Sequence, residues 1–176
     1  GEMDTLIVTG PKARDLFSAI ADQADLTLPW LSVQKARIAG RDCELFRVNF
    51  PGELGWEVHA TAENMPAIHD AIIGQGAKPF GMWAMDSLRI EKGYRLMGAE
   101  LESEYNPVEA GLARPKVKSA DFIGKEAYLQ QRGADPLTVL CTLTVDDHTS
   151  ASGVKRYMLG GEPILTRDGR PLTDGH

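Results

Sequence analysis

Apolar and polar positions follow two rhythms along the chain. Leu6–Thr9 reads as a short strand ending at Gly10-Pro11, and Pro11 suits the first turn of a helix. Ala13, Leu16, Phe17 and Ile20 then recur at i, i+3, i+4 and i+7, the stripe of an amphipathic helix. Residues 32–38 and 42–50 predict the two arms of a hairpin turning at Ala39-Gly40-Arg41, where Gly40 can take a positive φ. In the second arm Glu44, Phe46, Val48 and Phe50 alternate with Cys43, Leu45, Arg47 and Asn49. After the break at Pro51-Gly52, Trp56, Val58 and Ala60 alternate with Gly55, Glu57 and His59, a further strand. A helix starting at Thr61 or Glu63 carries Met65, Ile68 and Ile72 and stops at Gly74 and Gly76. Met82–Lys92 predicts a third helix, with Met82, Met85 and Leu88 along one side, Asp86 and Arg89 as a surface pair, and Gly93 as its stop.

The second half is less regular. Residues 93–121 contain Gly98, Pro107, Gly111 and Pro115 and show no period. Glu126–Arg132 predicts a short helix, and Asp135-Pro136 a boundary. Leu137, Val139, Cys141, Leu143 and Val145 alternate with polar residues as a strand would. Residues 146–161 read as loop, and Glu162–Leu172 as a hairpin around Asp168-Gly169. Helices and strands mix without strict βαβ order. The expected fold is therefore α+β, an antiparallel sheet with packed helices, followed by a small all-β piece with too few strands to close a barrel. The chain reads as cut from something longer.

Composition narrows the class. At 43% hydrophobic and 25% charged, the 176 residues suit an ordinary globular chain rather than a disordered one. With 19 Lys and Arg against 25 Asp and Glu, the net charge of −6 disfavours nucleic acid as a partner. No apolar run approaches the roughly 18 residues that span a bilayer, and Gly1–Thr9 contains Glu2 and Asp4 where a signal peptide is basic. Neither a membrane nor a leader is expected. Cys43 and Cys141 lie far apart, with no second Cys or His at metal-ligand spacing. They predict buried thiols of a cytoplasmic protein, not a disulfide framework or a zinc site. His59, His69, His148 and His176 show no ligand spacing either and read as solvated or core histidines. No metal is expected. There is no G-x-G-x-x-G after a strand, no P-loop, no G-x-S-x-G and no H-E-x-x-H.

The stretch Phe50-Pro51-Gly52-Glu53-Leu54-Gly55-Trp56-Glu57 carries the most chemistry. Gly52 and Gly55 permit close backbone approach. If Trp56 and Val58 face the core, Glu57 faces a solvent cleft or a ligand; the bland alternative is a solvated strand acid. A carboxylate there can accept two neighbouring N–H donors at once, each charge-assisted bond contributing about 1.5–3 kcal/mol. A pterin ring presents such a pair. Three other stretches read alone as helix and loop chemistry: Met85–Arg95, Asn106–Leu112 and Asp121–Ala127.

Together with Gly10-Pro11-Lys12-Ala13-Arg14, these stretches occur in the order and approximate spacing of the glycine cleavage T-protein (aminomethyltransferase) family, which the chain resembles over most of residues 6–130. It looks closest to the folate-binding C-terminal region of dimethylglycine and sarcosine dehydrogenases, where Gly-Glu-Leu-Gly-Trp-Glu and Leu-Asp-Ser-Leu-Arg-Leu-Glu-Lys-Gly-Tyr-Arg are typical wordings. The resemblance implies the aminomethyltransferase folate-binding fold over residues 1–133, its N-terminal part missing, and the start of a C-terminal β-barrel domain over 134–176. It implies tetrahydrofolate as cofactor and a small-molecule substrate. FAD belongs to a flavin domain of the same full-length chain, which is missing from this one. In such enzymes the flavin domain oxidises an N-methyl amine, and the folate domain captures the carbon as 5,10-methylenetetrahydrofolate.

By motif match, the resemblance makes Glu57 the pterin-contacting acid. Phe50 stands where the family commonly has Tyr, keeping a stacking face without the hydroxyl. Met85 stands where true T-proteins carry a folate-holding Arg, which favours the dehydrogenase branch. The family's catalytic Asp lies upstream of Gly10-Pro11-Lys12, before residue 1, and a second folate arginine lies beyond His176. The chain alone is therefore expected to be inactive. Arg114, Lys116, Lys118 and Lys125 are candidates for a folate polyglutamate tail, or for a solvated loop. Two alternatives stand beside this one: a stand-alone T-protein or related demethylase, and a non-catalytic folate-binding module. The iron–sulfur branch of the fold carries a Cys near Phe122–Glu126, where this chain has none.

Overall fold

The structure, a computed structural model, describes residues 2–113, 117–158 and 160–172. Five strands form one antiparallel sheet: β1 (Met3–Thr9), β2 (Ala21–Asp22), β3 (Val33–Ile38), β4 (Arg41–Phe46) and β5 (Gly55–Thr61). Their order is β1-β5-β4-β3-β2. Helix α1 (Ala13–Ile20) follows β1, α2 (Met65–Gly74) follows β5, and α3 (Met82–Glu91) and α4 (Lys125–Gly133) come later. The chain divides into two compact units, Gly1–Leu140 and Cys141–His176.

The alternation along β5 sends Trp56, Val58 and Ala60 to one face, where all three are buried. Register brings Val8 opposite Trp56, and Leu6 and Leu45 opposite Val58. Phe17 of α1 and Met65, Ile68 and Ile72 of α2 complete this core, each large side chain contributing about 1.5–3 kcal/mol by leaving water. The Phe17 and Trp56 rings meet edge-on, 5.3 Å between centroids, and the Arg47 guanidinium lies 4.7 Å from the Trp56 ring centroid.

Local turn chemistry refines the expected boundaries. Ile38 pairs directly with Arg41, so the hairpin turn is Ala39-Gly40 alone, at φ 51° and 72°. Two positive φ values give the turn whose twist matches the flanking strands. The second arm stops at Phe46 rather than running to Phe50. Asn49 turns inward, buried, and its Nδ2 donates to Thr9 Oγ1 at 2.5 Å, and Pro51 follows with no N–H to give a ladder. The short strand β2, paired with Ile38 and Arg37, was not legible as a period.

Two expectations are overturned. The alternating run Leu137–Val145 forms no strand, and Leu137, Val139, Leu140, Leu143 and Val145 are all exposed. Alternation nominates a strand, but only a neighbouring ladder makes one, and none of the described strands pairs with it. The stripe of α3 does not bury either: Met82 is exposed, Met85 and Leu88 are half-buried, and the buried residue of α3 is Arg89. Near the chain end, Thr166 N–H donates to Arg170 O at 2.7 Å and Leu172 N–H to Ile164 O at 2.7 Å, closing the expected turn at Asp168-Gly169.

Candidate functional site

Glu57 stands on the face of β5 opposite the α1 and α2 layer, its side chain 25% exposed. Period two puts His59 on the same face. Register brings Phe46 of β4 opposite Glu57, and Thr5 of β1 and Glu44 of β4 opposite His59. The side chains join in a row. His59 Nε2 lies 3.1 Å from Glu57 Oε2, and its Nδ1 lies 3.1 Å from Thr5 Oγ1. The Phe46 ring leans on the imidazole at 4.3 Å between centroids. Glu57 Oε1 has no protein donor among the described residues.

The turn that launches β5 explains its two glycines. Gly52 sits at φ +84°, and a Cβ there would overlap the Lys92 side chain at the end of α3. Gly55 has ordinary φ, but a Cβ would overlap the Asn49 amide and the Val8 carbonyl. A hollow of about 320 Å³ lies between this turn and α3, lined by Pro51, Gly52, Glu53, Leu54, Leu88, Glu91 and Lys92. Glu57 does not line it, nor the wider groove of about 600 Å³ beside Phe122 and Lys125. Phe50 is half-buried in the same turn segment and Met85 half-buried in α3. No hydrogen bond or ring contact joins Glu57, Phe50 and Met85 among the described residues.

Arg95 ties the second stretch to the third, and Arg89 ties the second to the loop between them. Asp86 and Arg89 are not a surface pair. Arg89 is 4% exposed, and its Nε donates to Asp86 Oδ1 at 2.6 Å while Nη1 donates to Glu100 Oε2 at 2.6 Å and Tyr94 O at 3.1 Å. Burial alone would push the Glu100 carboxyl upward, but the Leu96 N–H and the Arg89 guanidinium outweigh it and hold it below its ordinary range. For Arg89 burial works against the charge, and Asp86 and Glu100 outweigh it, so its affinity for the proton rises. Arg95 Nε donates to Ala110 O at 2.9 Å, and Asn106 Oδ1 accepts from the Val108 and Glu109 N–H groups. The aperiodic segment is thus ordered by side-chain bonds to backbone, which periodicity does not reveal.

Of the candidate tail-binding cations, Arg114 and Lys116 lie outside the described residues, as does His176. Lys118 is exposed. Lys125 Nζ is engaged by Ser119 O, Ala120 O and Asp121 Oδ1 at 3.0–3.2 Å. His69 and His148 are exposed. The sequence alone makes His59 a solvated or core histidine and does not single out Thr5, whereas the structure joins both to Glu57. The signal for His59 was its place two residues after Glu57; the position of Thr5 depended on register. The Cys43 thiol is buried, and burial, aided by Asp42, pushes it up to about 11. No helix among the described residues is long and apolar enough to cross a membrane.

The antiparallel sheet, its two packed helices and the double-glycine turn belong together in a known domain. Residues 1–118 match the GCVT N-terminal domain, and the chain belongs to that family. It is 35% identical over 156 residues to human "Dimethylglycine dehydrogenase, mitochondrial", covering 83% of this chain and 18% of that protein. With mouse "Sarcosine dehydrogenase, mitochondrial" it shares 35% identity over 172 residues, covering 93% of this chain and 19% of the relative. With "Aminomethyltransferase" of Thermus thermophilus it shares 40% over 171 residues, covering 97% of this chain and 47% of the relative. The chain thus spans about a fifth of the two dehydrogenases and about half of the aminomethyltransferase.

Proposed function

We propose that the chain is the tetrahydrofolate-binding part of a flavin-dependent N-methylamino-acid dehydrogenase of the dimethylglycine or sarcosine type. Tetrahydrofolate, when bound, accepts the one-carbon unit and becomes 5,10-methylenetetrahydrofolate. The observation that carries this reading is Glu57. It is a partly exposed carboxylate on β5, an interior strand of the sheet, with Oε2 held by His59 and Oε1 without a protein donor among the described residues. Those acceptor oxygens suit a flat heterocycle offering two adjacent N–H groups. Glu57 accepts the pterin amide N–H and exocyclic amine, and Phe50 offers a stacking face. Met85, apolar where T-proteins carry Arg, favours the dehydrogenase branch.

In this reading residues 1–133 form the folate-binding domain and 134–176 begin the β-barrel domain. FAD in this reading belongs to a flavin domain of the full-length chain, in keeping with the similarity to dehydrogenases of which this chain spans about a fifth. A reducing compartment such as the cytoplasm suits the buried Cys43 thiol. The 40% identity to an aminomethyltransferase supports a second reading, in which the carbon comes from an aminomethyl carrier.

Isothermal titration of the full-length protein with tetrahydrofolate tests the proposal. Glu57→Gln is expected to weaken binding by about 1–3 kcal/mol. Absence of binding, or binding indifferent to that substitution, overturns it. Turnover of dimethylglycine or sarcosine, against transfer from an aminomethyl-lipoyl carrier, separates the two readings.

A further inference from the structure

The structure assigns His59 as the positioning residue of Glu57, an inference that rests on the folate reading above. The imidazole is held from three strands at once. Thr5 on β1 meets Nδ1 at 3.1 Å, Glu57 on β5 meets Nε2 at 3.1 Å, and Phe46 on β4 covers the ring at 4.3 Å. A solvated histidine needs none of these contacts. Their chemistry also has a direction. An ionised carboxylate can only accept, so Nε2 carries the proton toward Glu57, and in the neutral imidazole Nδ1 is left to accept from the Thr5 hydroxyl. Glu57 thereby fixes the tautomer, the Thr5 hydroxyl complements it by donating to Nδ1, and Phe46 packs against the ring.

The consequence falls on the carboxylate plane. A side chain with rotatable bonds and a quarter of its surface exposed has no fixed plane of its own. A ligand offering two adjacent N–H groups needs both oxygens presented edge-on in one orientation. A charge-assisted bond from His59 to Oε2 occupies one of that atom's acceptor directions and leaves the other, together with all of Oε1, for the ligand. Binding then loses less side-chain freedom, which is how preorganisation raises affinity.

The test is tetrahydrofolate titration of the full-length protein carrying His59→Phe, His59→Gln, Glu57→Gln or the double variant His59→Phe/Glu57→Gln. Phe keeps the contact with Phe46 and loses both nitrogens; Gln restores an N–H donor near Nε2. His59→Phe is expected to weaken binding about tenfold, His59→Gln to recover most of it, and His59→Phe to have under about a twofold effect once Glu57 is already Gln. His59→Val, β-branched and suited to a strand, replaces His59→Phe if the second phenyl ring prevents folding. If Glu57→Gln weakens binding while loss of the imidazole leaves it within about twofold, the positioning role fails and the folate reading stands. An effect of the same size in both Glu57 backgrounds, or no recovery with Gln, also overturns it. If Glu57→Gln itself changes nothing, the folate reading fails and the positioning role with it.

Discussion

Arg89 donates from Nη1 to Glu100 Oε2 at 2.6 Å, joining the buried side chain of α3 to a loop eleven residues further along the chain. The same guanidinium reaches Asp86 and the Tyr94 carbonyl, so one side chain closes the α3 C-terminus onto the segment that follows it.

Replacing this arginine exposes what the cluster contributes. Arg89→Met leaves Asp86 and Glu100 without their cation, yet both keep some exposure, 41% and 27%, and can rehydrate. The expected loss is therefore about 1–3 kcal/mol, short of the cost of stranding a wholly buried charge. Arg89→Lys should recover little, because an ammonium cannot span the three acceptors as a planar fork does. Urea unfolding of each variant measures this, and an unchanged midpoint for Arg89→Met would refute it.

The same cluster sets an acid limit. The Glu100 carboxyl titrates below its ordinary value of 4.5 in the folded state, so folding holds its proton off. A depressed carboxylate contributes stability that is full above the unfolded value and lost as pH falls through the folded one. Stability should therefore decline as pH drops below about 4.5, and Glu100→Gln should flatten that part of the pH–stability curve while lowering its plateau. Thermal melts from pH 7 to pH 3 follow both effects.

Gly55 and Gly52 should differ in what they tolerate. A methyl at Gly55 meets the Val8 carbonyl, backbone inside the β1–β5 ladder that cannot move without breaking register. Gly55→Ala is expected to cost about 3 kcal/mol. At Gly52 the obstruction is the Lys92 side chain, which can swing away. Its main cost is the left-handed backbone, about 1–2 kcal/mol for a residue with a Cβ. Equal losses at the two positions would contradict this assignment.

The two thiols should separate kinetically. Cys43 is buried and its thiol pushed up to about 11, whereas Cys141 is exposed. At pH 8 the thiolate fraction at Cys43 is on the order of one in a thousand. Iodoacetamide is expected to label Cys141 in the folded protein and both residues after denaturation. Peptide mapping of the native protein settles it, since modification of Cys43 at a comparable rate would show that the β3–β4 face opens readily.

The chain's own pattern determined a good deal here. The stripe of α1, the alternation along β5, the glycine turn before it and the helix ending at Gly74 all formed where the residues indicate, because each depends on neighbours within a few positions. The same local rule placed Trp56 and Glu57 on opposite faces of the sheet. Only the tertiary structure decided that Thr5 stands opposite His59, that Arg89 is buried against Glu100, and that Leu137–Val145 takes no strand conformation among the described residues. Those outcomes depend on groups remote in sequence, whose approach is set by strand register and side-chain hydrogen bonding, neither of which leaves a period in the chain.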